Sequence, residues 1–528
     1  MNSRGKEIIK THQSVLLVVA ASCLLLVNAL YCFALSDSRV VFAVACAMGG
    51  CAGLLYLACH LLQKRSKLSI EVCFVLVMLV LGVMYSAVFA PSTIPDEMYH
   101  FESSYKLADQ IMFLMPNSDV LFVRSDDAAM IDFLFAGGNR LTADLYNAVA
   151  GSSFFVQDPS IVGIVPVSEF DWGGNPPQVK IASALGIVIA QLFHLGSYPL
   201  FYMGRLFNFA FFLVLIYFAV RFTPVCKKAM MTIALLPMTL HVASSYSYDA
   251  GIIGLSFLLV SLCLKAIYET GPISIRLRSA IAFVAVMLAP CKVIYTLIVL
   301  LVLLIPSQRF SSKRNAHLYK TGVFLTCVLS VLALRGLFLL DLTGTANSSN
   351  NVPLDVRGTE TGTYYTLGSL INDPLNAILL FLRTFDSMGD YYIKTVIGGS
   401  LGWFQPELQA PWFVVLAFIG MLTLSFIKSP QETNEVPVTH RSFFFALTIV
   451  GWLAIMMSMA LGFTFQTETV ILGVQGRYLL PFLPLAAVAM QGNLIIIQKD
   501  ISQFLIWAML VLNICYLMRL FAIAVNVN

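Results

Sequence analysis

Asp96, Glu97 and His100 fall in one short stretch, P-S-T-I-P-D-E-M-Y-H-F-E-S-S-Y-K at residues 91–106, directly after an apolar run from Val72 to Ala90. Two carboxylates and an imidazole can move protons or hold a divalent cation, and here they stand where a bilayer-length run meets water. Pro95 lacks a backbone donor and suits the first turn of a helix starting near Asp96. A carboxylate at that point sits at the positive end of the helix dipole. In such a helix Asp96, His100 and Ser103 or Ser104 share one face, because residues three and four apart are neighbours. The same spacing also fits an ordinary solvated helix start, so the rest of the chain has to decide.

The scaffold follows from composition. The chain has 528 residues, of which 59% are hydrophobic and 11% charged, with a mean hydropathy of +0.83. Soluble domains carry about 25% charged residues, so this is an all-α polytopic membrane protein. The net charge of +4 discriminates little. The eleven cysteines lie mostly in apolar runs, without metal-ligand spacing, and imply no disulfide framework. There is no short repeat, low-complexity tract or nucleic-acid motif. Met1 to Ser14 is polar and basic and Val15 to Leu35 apolar, with no small-residue cleavage site, which reads as a retained first span.

A crossing needs about 20 apolar residues. About thirteen transmembrane segments are expected: 14–35, 40–62, 70–90, 199–222, 229–247, 251–268, a broken pair 279–290 and 293–306, then 321–341, 411–428, 442–463, 479–497 and 502–524. Lys and Arg gather in short cytoplasmic loops. Lys6, Lys10, Lys64, Arg65, Lys67, Lys227, Lys228, Arg276, Arg278, Arg309, Lys313, Arg314, Lys320, Lys428 and Arg441 all fit that side, so the N-terminus is cytoplasmic. Residues 176–196 are apolar enough to cross, but a crossing there would invert Lys227 and Arg276. A helix in the outer interface, with Lys180 and His194 toward water, is preferred. Two large outward loops result, 91–198 and 342–410, rich in aromatics, as in D-W-G-G-N-P-P (171–177) and S-L-G-W-F-Q-P-E-L (400–408). The chain divides into an N-terminal hairpin (1–69), a module with the first outer loop (70–341), the second outer loop (342–410) and C-terminal helices (411–528).

Each arm of the broken pair around Pro290 is too short to cross alone, so Lys292 at its tip must face a polar cavity or an anion, or else snorkel to the interface. With this topology Asp96, Glu97, His100, Arg205, Asp249, Lys292 and Arg477 all reach one membrane face. A pocket with bases for a phosphate and a carboxylate for proton transfer suits a phosphate-bearing amphiphile. Asp249 also fits a helix N-cap, and Arg477 with Tyr478 an interfacial anchor.

At these residues the chain resembles a family of bacterial predicted membrane proteins, catalogued as domain of unknown function 2142 and related to the GT-C superfamily of polytopic glycosyltransferases. The resemblance rests on I-P-D-E-M-Y-H-F (94–101), N-P-P-Q-V-K (175–180), M-G-R-L-F-N (203–208), S-S-Y-S-Y-D (244–249), G-G-S-L-G-W (398–403) and G-V-Q-G-R-Y-L-L-P (473–481). It differs from the GT-C pattern in having two spans before the usual first one and P-P-Q-V-K where P-P-L-x-Y is usual. The resemblance implies a GT-C-like bundle in the bacterial cytoplasmic (inner) membrane. It also implies transfer of a sugar from a polyprenyl-phosphate donor to an envelope glycan or lipid acceptor on the extracytoplasmic face. Asp96 matches the position of the catalytic base, with Glu97 and His100 orienting it or holding a divalent metal. Arg205, Asp249, Lys292, Arg477 and Tyr478 would bind substrate and its phosphate. No cofactor is fixed by the sequence. The alternatives are a transporter or flippase of lipid-linked saccharides and a non-catalytic envelope assembly protein.

Overall fold

The computed structural model describes residues 3–65, 68–114, 120–166, 177–342, 363–403, 405–429, 432, 434–492 and 495–527. Lys67, most of the D-W-G-G-N-P-P segment and residues 343–362 of the second loop lie outside them. Among the described residues, eight helices are long and apolar enough to cross a membrane. The first two, α1 (Ser3–Ser36) and α2 (Arg39–Lys64), form a hairpin, with the Ser38 hydroxyl accepting from Val41 N at 3.4 Å to start the second. The third, α3 (Ile70–Val88), starts in the same way at Ser69. Such caps satisfy backbone donors that a helix start leaves unpaired.

The first loop is a folded layer. It contains α4 (Glu97–Ile111), β1 (Leu121–Arg124), α5 (Ser125–Ala136), α6 (Ala143–Gly151) and β2 (Ile161–Ile164), and the two strands pair antiparallel with Leu121 opposite Ile164. A 3-10 turn, Pro177–Val179, leads into α7 (Ile181–Leu192). At twelve residues, about 18 Å of helix, α7 is too short to cross, and it packs on α4 and α8 (Ser197–Phe222). His194 is exposed as expected, but Lys180 is not. Tyr99 of α4 covers it and it is only 4% exposed, which corrects the water-facing expectation.

Two expected spans are broken by proline, which removes a backbone donor and clashes with the preceding turn. Residues 229–247 form α9 (Lys227–Ala234) and, restarting at Pro237, α10 (Pro237–Ala243). Within the expected span 479–497, residues 479–490 fall in a 3-10 run, Gly476–Phe482, containing Pro481, and in α18 (Leu483–Met490), which has Pro484 in its first turn. Between them in the chain come α11 (Asp249–Tyr268), α12 (Ile275–Leu288), a 3-10 run Val293–Leu304, α13 (Lys313–Leu342), α14 (Leu367–Asn372), α15 (Pro374–Ile397), α16 (Trp412–Phe426) and α17 (Val438–Phe463). The chain ends in α19 (Ser502–Ala524). Apolar all round, α11 is the buried axis of the bundle. A twelve-residue 3-10 run is unusual, since its hydrogen bonds are poorer than those of an α-helix.

Polar side chains collect at two opposite ends. One end joins Lys227 to Glu71 at 2.7 Å and Lys228 to Glu432 at 3.3 Å. The other holds the residues of the 91–106 stretch. The two long loops meet there, with Leu141 N donating to Gln405 Oε1 at 2.8 Å and Arg140 pairing with Glu407 at 3.1 Å, and Gly402 N donates to His241 Nε2 of α10 at 3.1 Å. Gly398, at φ +106°, ends α15 against α10 so closely that a Cβ there would overlap Met238 N.

Candidate active site

The helix of the opening stretch begins one residue later than expected, at Glu97, and Asp96 is its N-cap in a left-handed conformation, φ +62°. This backbone costs an L-residue about 1–2 kcal/mol, least for Asp, Asn and Gly. Its side chain does no capping. The carboxylate instead stands 53% exposed, with Oδ2 accepting from Arg477 Nη2 at 3.0 Å. Oδ1 has no partner among the described residues.

Glu97 points the other way and is fully buried. Arg205 of α8 grips it from Nε at 2.8 Å and Nη2 at 2.6 Å, and Oε1 also accepts from Tyr246 N at 3.1 Å. The same guanidinium donates to Ser86 O, Phe89 O and Ala90 O at 3.2, 2.5 and 3.1 Å, closing the end of α3. Arginine has five donors, and all five are engaged. Arg205 therefore has none left for a phosphate, and Glu97 none of its oxygens free for a metal or substrate. Both corrections have one cause, the burial of this pair behind Asp96.

Arg477 comes from the 3-10 run Gly476–Phe482, which α15 holds through Gly476 N donating to Thr395 Oγ1 at 2.8 Å. It is 4% exposed and reaches Asp96 on one side and Asp249 Oδ2, at 3.5 Å, on the other. Asp249 opens α11, but its carboxylate does not cap the helix. Oδ1 accepts from Lys292 Nζ at 2.7 Å. Lys292, at the tip of the broken pair, lies 4.5 Å from the Tyr478 ring and 4.9 Å from that of Tyr248. Arg335 of α13 fixes the tip by donating to Pro290 O at 2.9 Å and Cys291 O at 2.7 Å, a cation on helix-terminal carbonyls. Asp96, Asp249, Lys292, Arg477 and Tyr478, from four parts of the sequence, thus form one chain of contacts.

His100 lies beside it, its ring edge-on to Tyr248 at 4.5 Å and Nδ1 without a partner among the described residues. Burial, and then Lys180, hold its imidazole well below the usual histidine range, so it is neutral. Ser103 and Ser104 are not free on its face, because both donate to His100 O. Lys180 itself was missed as a site residue. Its Nζ lies 5.3 Å from the Tyr99 ring and has no ion-pair partner among the described residues. Burial, and then Arg335, push its ammonium down to about 7. The signal available was a lysine inside N-P-P-Q-V-K, at the mouth of an apolar run. No group of three or more His, Cys, Asp or Glu among the described residues could hold a metal. Glu97 in particular is unavailable to the D-E-x-x-H set. Chemically, the cluster offers an exposed carboxylate, a neutral imidazole and a buried ammonium with no ion-pair partner among the described residues.

Among known proteins, the family described as Predicted membrane protein (DUF2142) matches residues 76–486. No curated protein sequence matches. The crystal structure of ArnT from Cupriavidus metallidurans bound to undecaprenyl phosphate aligns at 12% identity with a TM-score of 0.33, covering 85% of this chain and 76% of that one.

Proposed function

The chain belongs to the DUF2142 family of predicted membrane proteins, and from that premise we propose that it is a membrane glycosyltransferase using a polyprenyl-phosphate sugar. The site faces the extracytoplasmic side of the bacterial inner membrane, with Lys227, Lys228 and Glu432 at the cytoplasmic end. The observation that carries this reading is Lys180: a lysine is almost never buried alone, and this one has no anionic partner among the described residues. A lipid phosphate supplies that anion at the depth where the bundle meets lipid.

In the reaction, Asp96 Oδ1 takes the proton of an acceptor hydroxyl as its oxygen bonds to the anomeric carbon. The bond from that carbon to the phosphate oxygen breaks, and the lipid phosphate leaves with the electron pair. Lys180 and Lys292 stabilise the charge that develops on it, as positioned cations do. Arg477 holds Asp96 and Asp249 in register, and Glu97 with Arg205 fixes the backbone from which Asp96 projects. Attack opposite the leaving group inverts the anomeric centre. An envelope glycan or lipid is the acceptor class.

The test uses the full chain purified in detergent, given undecaprenyl-phosphate sugars and envelope-derived acceptors. Release of undecaprenyl phosphate with sugar on the acceptor is the expected result. Movement of intact lipid-linked sugar across reconstituted vesicles, with no cleavage, would replace the reading with a transporter.

A further inference from the structure

We infer that the first outer loop carries a carbohydrate-binding cavity apart from the ionic cluster, and that it docks an oligosaccharide acceptor. The cavity, about 320 Å³, is lined chiefly by Asp126, Phe133, Ser153, Phe155, Gln157 and Tyr198. That volume is at the small end of ligand sites. No basic side chain lines it among the described residues, in contrast to the ionic cluster, so it favours an uncharged ligand over a phosphate.

The walls are built to hold their shape. Val156 N donates to His194 O at 2.9 Å and Gly196 N to Phe154 O at 2.8 Å, tying the segment after α6 to the start of α8. Gly196 runs so close to Ser153 that a Cβ would overlap its carbonyl oxygen. On the other wall Asp126 Oδ2 accepts from Gln157 N at 2.6 Å and Asp158 N at 3.1 Å, and Oδ1 has no partner among the described residues. The next residue, Asp127, is locked by Arg124 at 2.7 Å and by Tyr105 of α4 at 2.8 Å. The cavity is therefore joined rigidly to the helix that begins beside Asp96.

A pyranose has an apolar C–H face and a rim of hydroxyls. The exposed aromatic rings of Phe133 and Phe155 suit the face. A carboxylate oxygen, an amide and a hydroxyl, which between them donate and accept, suit the rim. Tyr105 lies nine residues along α4 from Asp96, about 14 Å of helix. A ligand reaching from the cavity to Asp96 is thus several sugars long. That it is the acceptor rests on the transferase reading. That it is carbohydrate does not.

Binding is measured without donor, so that a failed transfer assay leaves it standing. The full chain in lipid nanodiscs, which avoids glycosidic detergents, is mixed with glucose-, N-acetylglucosamine-, mannose-, galactose- and rhamnose-based trisaccharides, and saturation-transfer NMR is recorded. At least one trisaccharide should receive saturation from the protein. Phe155→Ala should reduce the signal at least fivefold, and Ala129→Trp, which fills the mouth from an exposed position, should abolish it with an unchanged melting temperature. No transfer to any of the five, or full transfer in the Ala129→Trp variant, overturns the inference.

Discussion

Asp96 and Glu97 are neighbours in the chain and occupy opposite surroundings. Asp96 is half open to solvent on a left-handed backbone, held through one oxygen. Glu97 is sealed, with both oxygens bound by Arg205. The difference separates a carboxylate that can exchange a proton with a substrate from one that fastens α3, α4 and α8 together. A buried pair of this kind is weak support for net stability but is strongly destabilising to break. The comparison therefore predicts that one carboxylate governs rate and the other governs folding.

The largest effect is expected at Asp96→Asn: transfer falls by roughly 10²–10⁴-fold, with membrane insertion and melting temperature unchanged. Full activity in that variant would remove Asp96 from the proton transfer. Arg205→Ala should do the reverse. It leaves the Glu97 carboxyl in the interior without its guanidinium partner, lowering stability by about 3–5 kcal/mol, seen as poor yield and early melting. A stable, inactive Arg205→Ala protein would instead make Arg205 part of the chemistry.

A third acid on α4 sharpens the contrast. Asp109 is buried next to the Gln191 amide, and burial pushes its carboxyl up to about 7, against an ordinary value of 3.8. The folded state therefore holds a proton that the unfolded chain has already released between these two values, so Asp109 lowers stability as pH rises from about 4 to about 7. Asp109→Asn should raise stability at pH 8 by on the order of 4 kcal/mol and change little at pH 4, read from melting curves at both. The smallest effect belongs to Lys180→Met. Losing one charged hydrogen bond, about 1.5–3 kcal/mol, should weaken binding of undecaprenyl phosphate roughly 10- to 150-fold. Because Lys180 must be protonated to hold an anion and titrates at about 7, wild-type affinity should decline above pH 7, and the Met variant should lose that decline. Equal pH profiles would sink the role.

Much of this was legible in the sequence because charges stand out in an apolar chain. Asp249, Lys292 and Arg477 each had to meet something, and the structure brings them together with Asp96. Adjacent D-E, by contrast, carries no mark of which carboxylate faces inward. That is settled by φ at Asp96 and by Arg205, more than one hundred residues away. Lys180 was misread because solvent is the default for lysine, and its burial is made by Tyr99 and its surroundings rather than by neighbours in the chain. The breaks at Pro237 and Pro481 were visible as residues, but each lay inside an apolar run whose length alone suggested a continuous span.

The left-handed turn at Asp96 also bears on how such a protein would evolve in the laboratory. Glycine adopts that backbone freely and asparagine readily, so either replacement keeps the turn, and both remove the carboxylate. A selection that rewards expression or heat resistance alone will tend to admit Gly or Asn at this position. On the proposed chemistry, libraries built to thermostabilise the protein should hold residue 96 fixed, or they will enrich well-behaved variants that have quietly stopped working.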